Sequence, residues 1–291
     1  SDHRICKKNV SRLMMSASYG LSDVEEDSSW SEVVKAIQEL GEIYPSTPAL
    51  VQTLLSKTDH HRAECRQAAA DALAASAPRG HVQAVSRLQE MCKCDEDLLV
   101  QHSALFSLAS LAVQGSLEGE FAVALLIGHS GVTMRSKEWD NRWRATEALT
   151  AHFNTSLGAA SFAPTVSENW EEMQRTCISI LLRAIHDEQA EVRAGAAQAA
   201  AAATLAVNTN TVTTTVTQRV TLELRAATTK AITTRLLMEE ENYVRGVLLT
   251  VLIDLSGNAF NPRAVSACKS IARGARDETK HVLIGLLPPP P

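Results

Sequence analysis

The chain has 291 residues, of which 45% are hydrophobic, 21% are charged and only 4% are aromatic. Its formal net charge of −5 argues against non-specific binding of nucleic acid, which requires an excess of Lys and Arg to neutralise phosphates. The apolar residues are mostly Ala, Leu and Val, and few segments show the apolar–polar alternation of half-buried strands. We therefore predict an all-α fold.

Residues 1–31 are polar, with an acidic and Ser-rich cluster, and are predicted to form an N-terminal extension. An amphipathic stretch that begins at Trp30 predicts a capping helix. From residue 32 to residue 287, helix-like stretches alternate with copies of a recurrent motif. The stretches that lie between copies are Pro48–Lys57, His81–Met91, Trp170–Ile185 and Thr221–Met238. The chain ends with four prolines, residues 288–291, which cannot continue a helix.

The best copy of the recurrent motif covers residues 187–200. It has an acidic residue, a short turn, Val-Arg, and small residues three and six positions after Arg193, which fall on one face of a helix. We call this Arg the anchor and count positions of each second helix from it. The same frame recurs at four further anchors, namely Arg66, Gln101, Arg142 and Arg245. Each repeat is therefore predicted to be a helix, a turn and a second helix.

Three segments between the predicted helices lack the helical pattern. Thr204–Thr217 is rich in Thr and Asn, which disfavour a helix, so we predict an extended insert. His129–Lys137 and Asn154–Asn169 are predicted to be two further inserts. Long loops on a repeat array often carry contacts with partners.

The motif resembles the short HEAT repeat, an acidic-Trp-x-Val-Arg sequence followed by Ala-x-x-Ala-Leu. The residues that match in the best copy are Asp187, Val192, Arg193, Ala196 and Ala199, and those in another copy are Glu138, Trp139, Arg142, Ala145, Ala148 and Leu149. The resemblance covers about residues 45 to 285, and Gln101 and Asn141 depart from it. It implies a right-handed α-α superhelix, an α-solenoid, of about five to six HEAT-like helical pairs over residues 32–287.

The resemblance also implies roles for charged residues. In this family the acidic residue and the Arg form a ladder that links adjacent turns. The residues expected to form it here are Arg66, Arg142, Asp187, Arg193 and Arg245.

The resemblance implies a non-enzymatic scaffold, or a subunit of a larger assembly, that binds a segment of a partner protein on its concave face. On each second helix, some positions should point away from the first helix of the same repeat. These positions carry few charges, whereas the exposed face of a free-standing helix would be polar. Neighbouring repeats could cover these positions, or they could form an apolar groove for the partner. The candidate groove residues are Leu105, Phe106, Trp143, Arg144, Val247 and Leu249.

The enzymatic alternative rests on the repeat alone. Bilin lyases use the same short repeat, so a bilin lyase-like enzyme or a chaperone for a pigment-protein is the second hypothesis. The sequence contains no Gly-rich phosphate loop, no His-Glu-x-x-His pair and no Gly-x-Ser-x-Gly elbow. We therefore assign no catalytic residue.

The six cysteines are too few and too scattered for a disulfide framework, which favours a reducing intracellular compartment. We expect the cytoplasm; because the sequence begins with Ser1 rather than Met, an organelle reached through a removed leader stays open. Cys92 and Cys94 lack a second pair at zinc-ligand spacing, so we predict neither a metal nor another cofactor. No apolar run approaches the roughly 20 residues needed to cross a bilayer, so we predict no membrane insertion.

Overall fold

The computed structural model describes residues 27–42, 47–128, 133–154, 169–206 and 215–256. Over these residues it contains eleven α-helices and no strands, which confirms the all-α prediction. None of the described helices is long and apolar enough to cross a membrane. The chain divides into two compact units, residues 1–122 and 123–291.

The first unit is built from helical pairs. Its helices are α1 (Asp27–Gly41), α2 (Pro48–Lys57), α3 (Ala63–Ser76), α4 (Val82–Cys94) and α5 (Leu98–Leu111), and α6 (Leu117–Ile127) begins within it. Helices α1, α3 and α5 pack side by side in a row, while α2 packs on α3 and α4 on α5. The fully buried residues of this core include Leu50, Leu54, Leu73, Leu88 and Leu108.

The second unit repeats the same arrangement. Its helices are α7 (Trp139–Asn154), α8 (Trp170–Ala184), α9 (Ala190–Ala206), α10 (Thr215–Met238) and α11 (Asn242–Ser256). Helices α7, α9 and α11 form the row of second helices, α8 and α10 both pack on α9, and α10 also packs on α11. Stacked pairs of this kind bury apolar faces that a single pair would leave exposed.

Local sequence signals explain where several helices begin. The side chain of Thr47 accepts a hydrogen bond from the Leu50 amide at the start of α2. Pro48 is the first residue of this helix. Asp97 accepts from the Leu99 and Val100 amides at the start of α5, at 2.8 and 3.2 Å. These side chains satisfy amides that have no partner inside the helix.

Small residues let the second helices approach each other closely. A Cβ atom added at Gly41 of α1 would lie 2.9 Å from the Cα of Ala72 in α3. One added at Gly195 of α9 would lie 2.0 Å from Oγ1 of Thr146 in α7. Both distances are shorter than a van der Waals contact, so glycine is required for these packing distances.

The prediction for Thr204–Thr217 is wrong at both ends. Helix α9 continues to Ala206 and α10 begins at Thr215, while residues 207–214 lie outside the described part of the chain. Thr204 is buried, its hydroxyl donates to the Ala200 carbonyl at 2.7 Å, and it lies 3.1 Å from the hydroxyl of Thr228. Packing and a satisfied hydroxyl therefore outweigh the low helix propensity of Thr.

Other predicted segments fall partly or wholly outside the described residues. These include residues 1–26 of the predicted N-terminal extension, residues 129–132 and 155–168 of the two further inserts, and the chain from residue 257, with the terminal prolines. The first described helix begins at Asp27, three residues before Trp30.

Candidate protein-binding surface

Among the described residues, α3, α7 and α9 each carry near their start an Arg that pairs with an acid, and Arg66 of α3 shows the pattern. Its Nη1 atom donates to the carbonyl oxygens of His60 and His61, six and five residues earlier, at 3.0 and 3.1 Å. Its Nε and Nη2 atoms donate to the two carboxylate oxygens of Asp95 in the next turn, both at 2.8 Å. The guanidinium thus joins its own turn to the following one.

We call one such Arg, with the two carbonyls and the acid that it binds, a rung of the ladder. The second unit contains two further rungs, at Arg142 and Arg193. Arg142 donates to the carbonyls of Ser136 and Lys137 and to both oxygens of Asp187, at 2.7 and 2.9 Å. Arg193 donates from Nη1 to the carbonyls of Asp187 and Glu188. Its Nε and Nη2 atoms donate to the two carboxylate oxygens of Glu239, both at 2.8 Å.

Asp187 takes part in both of these rungs. Its carboxylate accepts from Arg142, while its carbonyl oxygen accepts from Arg193. Two successive repeats are therefore connected through one residue.

The carboxylates of these rungs are held in the ionised form. Each also accepts a hydrogen bond from the backbone amide two residues later in the chain. The pairs are Asp95 with the amide of Asp97, Asp187 with that of Gln189, and Glu239 with that of Glu241. Burial alone would raise the pKa of Glu239, but hydrogen bonds, above all from Arg193, outweigh it and lower that pKa to about 2. The pKa values of Asp95 and Asp187 are lowered for the same reason.

The copies differ in three respects. Gln101 donates from Nε2 to the Asp95 carbonyl at 2.6 Å and carries no charge. Six residues before the anchor, the copies at Gln101, Arg193 and Arg245 have an acid, whereas the Arg66 copy has His60 and the Arg142 copy has Ser136. Arg245 donates to the side chain of Asn242, but its buried Nε atom has no hydrogen-bond partner.

The structure corrects the expectation that Leu105 and Leu249 lie on an open groove. Both residues are buried, at 6% and 2% exposure. They occupy position four after the anchor, which is buried in every copy, and position four of α7, Thr146, faces Gly195 of α9. Position four therefore lies between neighbouring second helices and belongs to the core.

The other candidates retain some exposure. Phe106, Trp143 and Val247 are half-buried, and Arg144 is exposed. Arg144 lies 3.1 Å from the carboxylate of Asp140, one turn earlier on α7. These four residues remain candidates for contact with a partner.

Position five is the accessible position of the second helices, because its residue is exposed or half-buried in every copy. The residues at this position are Asp71 and Phe106 in the first unit, and Glu147, Gln198 and Thr250 in the second. We call the residues of each unit its position-five row. The apolar character that marks groove candidates in the sequence does not identify the two acids, although Phe106 occupies the same position.

Asp71 and Glu147 have an unusual combination of properties. Both are exposed, yet desolvation by the surrounding protein raises the pKa of each carboxyl. Ser103 hydrogen-bonds Asp71, and Arg144 interacts with Glu147, and both effects partly offset the rise. Each carboxylate is therefore reached by solvent and partly desolvated by the surrounding protein.

Catalytic and metal chemistry have little support among the described residues. No group of three or more His, Cys, Asp or Glu side chains there could hold a metal ion. The described cysteines Cys65, Cys92, Cys94 and Cys177 are free thiols. Burial raises the pKa of Cys92 to about 12, so its thiolate is not populated near neutral pH.

Comparison with known families agrees with the repeat pattern. Residues 21–109 match the family model of HEAT repeats, which supports the resemblance seen in the motif over that part of the chain. HEAT repeats generally mediate protein–protein interaction, and HEAT-repeat proteins are typically non-enzymatic. No curated protein matches the chain.

Proposed function

We propose that this chain is a non-enzymatic scaffold, or a subunit of a larger assembly, in which each unit holds a basic segment of a partner protein on its position-five row. The observation that carries the proposal is an accessible, partly desolvated carboxylate at position five in each unit, Asp71 in one and Glu147 in the other. Both acids are exposed, and both have a raised pKa.

An accessible carboxylate that is already partly desolvated is a favourable place for a Lys or Arg side chain. Part of its hydration is already removed in the free protein, so binding a cation requires less further desolvation. The lower local dielectric also strengthens the Coulomb attraction. The ladder acids cannot serve in this way, because arginines of the same chain already bind Asp95, Asp187 and Glu239.

Aromatic side chains next to the acids favour the same partner. Phe106 lies three residues after Ser103, which hydrogen-bonds Asp71, and Trp143 lies one turn before Glu147 on α7. A guanidinium or ammonium group can stack on such a ring while it pairs with the carboxylate. We therefore expect a segment with a basic residue beside an apolar one.

Helix α9 adds a polar group to the position-five row of the second unit. Gln198 is exposed, while Ala194 and Ala202, four residues before and after it, are buried. The Gln198 amide can donate a hydrogen bond to a partner backbone and accept one from it.

A random peptide library tests the chemistry of the partner. We expect the wild-type chain to enrich peptides with Lys or Arg next to an aliphatic or aromatic residue. Asp71→Asn and Glu147→Gln should each lower the binding affinity for the selected peptides by about tenfold, the equivalent of roughly 1.4 kcal/mol. Matched controls are Glu64→Gln and Glu191→Gln, which change exposed acids two residues before the anchors Arg66 and Arg193.

The controls should bind the peptides as the wild type does. Enrichment of peptides without basic residues, or equal affinity in all four variants, would contradict the proposal.

A further inference from the structure

The rung at Arg245 of α11 is incomplete within the described part of the chain. Arg193, at the same position of α9, uses its Nε and Nη2 atoms to hold the two carboxylate oxygens of Glu239. Arg245 is 8% exposed, and its Nη2 atom donates to the side-chain oxygen of Asn242. Its Nε atom is buried and has no hydrogen-bond partner among the described residues. A buried guanidinium is unfavourable unless an acid compensates its charge and accepts from its N–H groups.

The complete rungs define the position of the missing acid. Each ladder acid follows the Arg that it binds by 29, 45 or 46 residues. It also lies six residues before the next anchor, with an exposed Glu directly after it and a buried Val directly before that anchor. The residues of this frame are Asp95, Glu96 and Val100; Asp187, Glu188 and Val192; and Glu239, Glu240 and Val244.

The sequence after α11 contains the same frame once more, outside the described residues. Asp277 and Glu278 are the two acids in residues 257–291, and both follow Arg245 within the spacing of the complete rungs. Asp277 is followed directly by Glu278 and five residues later by Val282, as Asp95, Asp187 and Glu239 are by their own Glu and Val. In this frame Asp277 corresponds to the ladder acids and Glu278 to the exposed Glu. Leu283 takes the place of the anchor.

We propose that Asp277 is the acid of the Arg245 rung, so that residues 277–283 begin a further repeat that this rung joins to α11. The carboxylate accepts from the Nε–H group and from the second N–H of Nη2, while Asn242 keeps the first. The buried guanidinium then has a counter-charge from its own chain. Leu283 has no charge at the anchor position, so the ladder ends with this rung.

The Nε–H signal of Arg245 in ¹⁵N spectra of the full chain tests the assignment. The signal is identified by its loss in Arg245→Met. Asp277→Asn removes the negative charge and keeps the shape of the side chain, so it should move this signal and speed its exchange with solvent by about tenfold or more. The same change should lower Tm by about 4 °C.

Glu278→Gln is the matched control, because it changes the neighbouring acid and should leave the Arg245 signal and Tm unchanged. In the Arg245→Met background, Asp277→Asn should no longer lower Tm, since the pair is already broken. An Arg245 signal that responds to Glu278→Gln as strongly as to Asp277→Asn would overturn the proposal. A signal that neither change moves would also overturn it and would indicate an acid of another chain.

Discussion

The second helices carry two sets of charges that differ in their surroundings. At the ladder, Arg193 and Glu239 are 8% and 1% exposed and bind each other through two hydrogen bonds. At the position-five rows, Asp71 and Glu147 are exposed, and their pKa values move in the opposite direction. The difference indicates that the ladder charges hold successive repeats together, while the position-five acids remain available to a partner.

The largest expected effect comes from breaking the most buried rung. Glu239→Gln leaves the Arg193 guanidinium without its counter-charge, so the free energy of unfolding should fall by about 3–5 kcal/mol. Urea denaturation measures this loss. The exposed neighbour provides the control, because Glu240→Gln should change the free energy by less than about 0.5 kcal/mol. Equal effects of the two changes would remove the distinction between ladder and surface acids.

Acid should weaken the ladder selectively. The pKa of Glu239 is about 2 in the folded chain, against an ordinary value of 4.5. The folded state therefore binds fewer protons than the unfolded state in this window. The stabilisation is fully present above pH 4.5 and is lost as the pH falls towards 2, by about 3 kcal/mol. Urea denaturation of the wild type and of Glu239→Gln from pH 7 to pH 2 should show the two converging at low pH.

The position-five acids should respond to pH with the opposite sign. Because the pKa values of Asp71 and Glu147 are raised on folding, the folded state binds more protons between the ordinary and the raised pKa. The two acids therefore lower the free energy of unfolding when the pH lies above their raised pKa values. This destabilisation disappears as the pH falls below their ordinary pKa values.

The close packing of the second helices predicts a smaller effect. Gly195→Ala places a methyl group against Thr146, so stability should fall by about 1–3 kcal/mol, although Ala normally favours a helix over Gly. Thr146→Ala removes the Oγ1 atom that the methyl group meets and should restore part of the loss in the double variant. Thermal unfolding of the four chains measures this coupling; strictly additive changes would show that the two residues do not meet.

The sequence predicts the ladder side of the molecule better than the exposed side. The anchors Arg66, Arg142 and Arg193 are recognisable because the same residue type recurs at one position, and repetition reveals a shared geometry. The extended prediction for Thr204 is wrong: Thr204 is a buried helical residue 3.1 Å from Thr228 of another helix, a contact that local propensity does not encode.

Leu105 and Leu249 show a second limit of the sequence. Helical periodicity separates the face towards the first helix from the rest, but it does not show how closely neighbouring second helices pack. That distance depends on pairs such as Gly195 and Thr146, which lie far apart in the chain. Desolvation of Asp71 and Glu147 likewise depends on neighbouring helices, so only their shared position in the repeat could have identified them.

The most direct test measures stability and binding in the same variant, Asp71→Asn combined with Glu147→Gln. We expect its free energy of unfolding at pH 7 to equal or slightly exceed that of the wild type, because two desolvated charges are removed. Its affinity for the selected basic peptides should fall by about tenfold or more. A marked loss of stability, or unchanged affinity, would contradict the separation between charges that hold the fold and charges that bind a partner.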